Sequence, residues 1–151
     1  MIVNERVVAY INSLDWGNPD ICNTIEKEAI ADEVPIIRKE MGNLLKVLLQ
    51  LVQPERILEV GTAVGYSSIL MSENMPENCT ITTIENYDKR IPIARNNFKR
   101  AGKEDCIRLI EGDAMEVLKE LEGPYDFIFM DAAKGQYINY LPEILRLMPK
   151  G

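Results

Sequence analysis

The 151-residue chain contains no histidine, which removes serine–histidine and cysteine–histidine nucleophiles from consideration. Chemistry is left to carboxylates, lysines, tyrosines and metal ions. Cysteine is scarce too: Cys22, Cys79 and Cys106 are odd in number and widely spaced, which speaks against a disulfide framework or a zinc site and for buried reduced thiols. No apolar run approaches the roughly 18 residues of a membrane span. Residues 1–5 lack the basic-then-apolar order of a signal peptide, so a cytoplasmic chain with no membrane partner is expected. A net charge of −7 argues against a broad phosphate-binding surface while leaving room for a local basic patch. The hydrophobic content, 46%, suits one domain with a real core.

What is present centres on residues 56–67, RILEVGTAVGYS, which read as a buried strand, a tight glycine turn and a helix start. Gly61 and Gly65 let the backbone turn sharply and approach a ligand closely, and Ser67 lies near a helix N-terminus. Their spacing, G-x-x-x-G, departs from the G-x-G-x-x-G that seats a dinucleotide. Glu59 is a carboxylate in an apolar strand and should meet a cation or hydrogen-bond donors there.

Three helices precede this stretch, over about 2–14, 19–31 and 38–52, and form a helical cap within residues 1–53. Val3, Val7, Ile11 and Leu14 stripe the first, Asn18 is placed to cap the second, and Met41, Leu44, Leu45, Leu48 and Leu49 are expected to be buried by the third. Trp16, in the loop between the first two, packs over the sheet or on a partner. Residues 54–151 alternate strands near 57–60, 80–85, 107–110 and 126–130 with helices, one of which is capped by Asp88, and the last of which Pro142 should kink or delay. That alternation implies a doubly wound, Rossmann-like parallel α/β sheet. Ligands of such sheets gather at the strand carboxyl ends, where Glu59 with Gly61, Glu85, Asp113 and Asp131 should converge.

Each acid has two readings. Glu85 can accept from both ribose hydroxyls of an adenosine cofactor or cap a helix. Asp113 can take a donor from an adenine amino group, cap the helix after it, or both. Asp131, about one turn before Lys134, can hold Mg²⁺ while the lysine takes a proton, or the two form a surface salt bridge. Arg95, Lys99, Arg100 and Lys103 form a basic helix face that is either functional or simply solvated.

Taken together, ILEVGTAVGYS, TIE at 83–85, EGDA at 111–114 and FMDAAKGQY at 129–137 resemble the cation-dependent O-methyltransferases of the class I, S-adenosylmethionine-dependent type. The likeness spans nearly the whole chain and extends to the bacterial branch that methylates tRNA 5-hydroxyuridine. The resemblance implies S-adenosylmethionine contacts at Ile37, Glu59, Gly61, Ser67, Glu85, Asp113, Ala114 and Asp131, a divalent ion on Asp131, and Lys134 as base. It also implies a homodimer and a hydroxylated acceptor, tRNA 5-hydroxyuridine first, with a small catechol-like or phenolic molecule as the alternative. The family's remaining metal ligands belong to a strand expected after Gly151, so a chain ending there should bind the cofactor weakly if at all and not turn over. A nucleotide-dependent oxidoreductase and a non-catalytic cofactor-binding module are the competing classes.

Overall fold

The computed structural model describes residues 4–14, 17–132 and 134–149. Val3, Trp16, Ala133 and the side chain of Lys134 lie outside the described residues. Four strands, β1 Arg56–Val60, β2 Thr80–Glu85, β3 Ile107–Glu111 and β4 Phe127–Met130, run parallel in the order β3-β2-β1-β4. Glu59 faces Thr83 on β2 and Phe129 on β4, while Val60 faces Ile84 and Met130. The chain builds outward from β1 to β3 and then returns to the other side of β1 for β4. The crevice beyond the carboxyl ends at that reversal is where such sheets bind ligands.

Strand alternation divides the core in two. Ile57, Ile81 and Ile107 point to one face, which is covered by α2 Asp20–Ala31, α3 Lys39–Val52, α4 Tyr66–Ser72 and α5 Ile91–Arg100. Leu58, Val60 and Ile84 point to the other face, against α6 Ala114–Glu120 and α7 Tyr137–Leu147. Burial pushes the thiols of Cys22 and Cys79 up to about 11, so both stay protonated at neutral pH. Among the described residues no helix is long and apolar enough to cross a membrane.

Several local expectations change. Helix α1, Glu5–Ser13, buries none of its residues, and its stripe of Val7, Ile11 and Leu14 is exposed. In α3 only the line Gly42, Leu45, Leu49 reaches the core, and Met41 and Leu44 turn outward because they fall off that narrow stripe. Pro19 takes the N-cap position of α2 in an extended conformation, leaving Asn18 one residue too far out to cap it. The N-cap of α5 is Arg90 rather than Asp88, with Pro92 accommodated in the first turn as expected. Helix α7 begins at Tyr137, directly after a 3₁₀ turn at Lys134–Gln136, and runs through Pro142.

Candidate active site

The site begins where β1 stops. Gly61 has a φ of +104°, and a Cβ there would lie 2.6 Å from the carbonyl oxygen of Asp131, so the chain after β1 passes the end of β4 too closely for a side chain. The Gly61 and Thr62 amides both donate to the Ile84 carbonyl at 3.1 Å, fastening the turn to β2. Gly65 caps α4 at φ +84°, and Phe98 fills the space its Cβ would need, with ring carbon Cε1 2.6 Å away. Between the glycines, Ala63 sits in the left-handed region at φ +47°, a conformation costing a non-glycine residue roughly 1–2 kcal/mol. Its amide donates to Glu85 Oε2 at 2.7 Å, which helps hold it there.

This turn forms the edge of a cavity of about 510 Å³, within the range that takes a small molecule or cofactor. Residues just past all four strands line it: Gly61–Ala63, Glu85 with Asn86, Gly112 with Ala114, and Asp131 with Ala132. Ile37 and Ser67 complete the set from the helical side. Of the residues singled out from sequence, Ile37, Gly61, Ser67, Glu85, Ala114 and Asp131 therefore share one cavity. Glu59 and Asp113 are not part of its lining.

Glu59 lies beneath the cavity because strand alternation turns it toward α4. It is wholly buried and pairs with no cation among the described residues; it accepts hydrogen bonds from Ser67 Oγ and Thr83 Oγ1, each at 2.5 Å, and from Ser68 Oγ. Since Thr83 gives its one proton to Glu59, the hydroxyl of Thr62, 2.6 Å away, must donate to Thr83. The carboxyl thus ties a cavity-lining serine and threonine to one buried point. Burial pushes its pKa up to about 7, against the pull of the three hydroxyls and with a smaller push from Asp131. Asp113 turns away to cap α6, accepting from the Met115 amide at 2.9 Å.

Glu85 is held from the protein side. Oε1 accepts from the Asn86 and Tyr87 amides at 3.0 and 2.9 Å, and Oε2 from Ala63. Of about four acceptor positions on a carboxylate, the open one is on Oε2. Asp131 is exposed at the tip of β4, its amide bonded to the Val60 carbonyl at 2.9 Å. Among the described residues no group of three or more His, Cys, Asp or Glu side chains comes together to hold a metal. A hard cation takes about six oxygen ligands, of which the Asp131 carboxylate could supply one or two.

Sequence reasoning missed Thr62, Ala63, Tyr66, Arg90 and Tyr140, which also line the cavity. Adjacency to Gly61 could have pointed to the first two. Tyr140 arrives from α7, far along the chain, and no motif marks it. Its phenol is raised above the usual range by burial and then by Asp113, while that of Tyr137, which donates to the Met130 carbonyl at 3.1 Å, is raised by burial and then by Asp131. Both are neutral near pH 7.

A family model described as "O-methyltransferase" matches residues 20–151. The chain belongs to the O-methyltransferase family. The catechol O-methyltransferase of Niastella koreensis is 37% identical over 97% of the chain, which spans 69% of that protein. The caffeoyl-CoA O-methyltransferase of Stellaria longipes is 34% identical over 73% of the chain, which spans 48% of that relative. The SAH-bound methyltransferase PaMTH1 of Podospora anserina superposes with a TM-score of 0.89 at 33% identity, covering 95% of this chain and 63% of its own. The parallel sheet and its flanking helices are accordingly the class I methyltransferase fold.

Proposed function

We propose that the cavity binds S-adenosylmethionine and that the protein transfers its methyl group to a hydroxyl of a small catechol-like or phenolic acceptor. The observation that carries this reading is the cavity lined by the tips of all four parallel strands, with the Gly61 backbone brought to its edge. S-adenosylmethionine supplies a methyl group on a sulfonium, open to in-line displacement by an oxygen. The open position on Glu85 Oε2 accepts from a ribose hydroxyl, and the backbone at Gly61 lets a nucleoside come close. The carboxylates of Glu85 and Asp131, both lining the cavity, favour a positive centre there. Positioning of the two reactants is then the main catalytic contribution.

A small acceptor is supported by the names of the relatives and by the state of the basic face around α5. On α5, Arg95 pairs with Glu111 at 2.6 Å and Arg100 with Glu28 at 2.7 Å; beyond it, Lys103 pairs with Glu73 at 3.1 Å. Cations already matched to carboxylates offer little net charge to a phosphate backbone. The test is a methylation assay with S-adenosylmethionine on a panel of catechols and phenols beside hypomodified tRNA, each with magnesium and with a chelator. Transfer to a catechol supports the reading, and transfer to tRNA alone replaces the acceptor. The magnesium arm tests whether Asp131 contributes to holding a divalent ion. Calorimetric preference for NADH over S-adenosylmethionine would replace the reaction class itself.

A further inference from the structure

We propose that Asn97 is a positioning residue for the cofactor turn, acting from behind it through the Val64 carbonyl and touching no ligand. This rests on the reading of the cavity as a nucleoside-cofactor site. Asn97 is on α5, is 2% exposed, and uses both ends of its amide: Nδ2 donates to the Val64 carbonyl at 2.9 Å and Oδ1 accepts from Arg100 Nη1 at 2.8 Å. The orientation of the amide is dictated by chemistry, since a carbonyl can only accept and a guanidinium can only donate. Arg100 is in turn gripped by both oxygens of Glu28 on α2, at 2.7 and 2.8 Å. A continuous chain of polar contacts therefore runs from α2 through α5 to the rear of the turn.

What it holds is the left-handed stretch of the turn. Val64 lies between Ala63 at φ +47° and Gly65 at φ +84°, so it is flanked on both sides by a left-handed residue. From the cavity side Glu85 holds the Ala63 amide, and from the rear Asn97 holds the Val64 carbonyl. Without the rear bond, a buried carbonyl loses its partner and the turn can relax by rotating that peptide. Rotation would carry the neighbouring Thr62 and Ala63, which line the cavity, out of place.

The test is the S-adenosylhomocysteine dissociation constant of the wild type and of Asn97→Asp from pH 5 to pH 8, with circular dichroism confirming the fold. At pH 8 the new carboxylate faces the Val64 carbonyl with no proton to give, and binding should weaken about tenfold, the loss of one buried hydrogen bond. As pH falls and the new carboxyl takes up a proton, it can donate to Val64 and still accept from Arg100, so the variant-to-wild-type ratio should return toward one. A ratio of one at every pH overturns the proposal, as does a tenfold loss that acid does not repair in a folded variant. If Asn97→Asp does not fold, Arg100→Met, which only frees the amide to rotate, should weaken binding two- to threefold, and no change would overturn the proposal. Failure of the wild type to bind S-adenosylhomocysteine would refute the cofactor reading, an outcome distinct from these.

Discussion

The two sides of the turn at Gly61–Gly65 hold it in contrasting ways. On the cavity side Glu85 is partly exposed, lines the cavity and grips backbone amides. On the buried side Glu59, Thr83 and Asn97 are sealed from water and satisfied entirely by protein groups. The difference teaches that acids on adjacent strands of one sheet are satisfied differently: Glu85 by backbone amides with an acceptor position left over, Glu59 by hydroxyls that shape the turn.

The change most damaging to both sides at once is Gly61→Ala. A methyl group there meets Asp131 backbone at 2.6 Å and a φ suited to glycine, so stability should fall by about 2–4 kcal/mol. Binding of S-adenosylhomocysteine should disappear; chemical denaturation and calorimetry measure the two effects. Glu85→Ala probes the cavity side alone and should weaken S-adenosylhomocysteine by at least about tenfold with a smaller loss of stability. Equal affinity in that variant would mean the ribose lies elsewhere.

The buried side is probed by Glu59→Gln through pH. The folded carboxyl titrates at about 7, against an ordinary value of 4.5, so between these limits the native state holds a proton that the unfolded chain has released. Its contribution to stability is complete below about pH 4.5 and is lost as pH rises through 7, on the order of a few kcal/mol in all. The stability of Glu59→Gln relative to wild type should therefore improve steadily from pH 5 to pH 8 in urea melts. A constant difference would show that Glu59 is ionised throughout. The smallest effect is expected at Arg95→Gln, away from both sides: its exposed pair with Glu111 should contribute under about 1 kcal/mol, with S-adenosylhomocysteine affinity unchanged.

Much of this arrangement was legible in the sequence. The strands stand out because their short apolar and β-branched runs end at Gly61, Glu85, Gly112 and Asp131, so the sheet and its crevice followed from order alone. The direction of each acid was harder to see. Alternation along β1 sends Glu59 to the face that carries Ile57, and Asp113 satisfies the nearest helix amide instead of reaching into the cavity. Period also identifies an apolar stripe without saying what covers it, which is why Met41 and Leu44 were placed inside. No motif marks Asn97, because its partner is a carbonyl 33 residues earlier. The left-handed conformation of Ala63 has no signature in an alanine.

The most direct test is a calorimetric titration of the chain with S-adenosylhomocysteine, with NADH, and with S-adenosylhomocysteine against Gly61→Ala. Saturable binding of the first at one site per chain, with no heat from the other two, is the expected result. Binding of NADH in preference, or undiminished S-adenosylhomocysteine binding by a folded Gly61→Ala variant, would contradict a cofactor site built at the tips of the four strands.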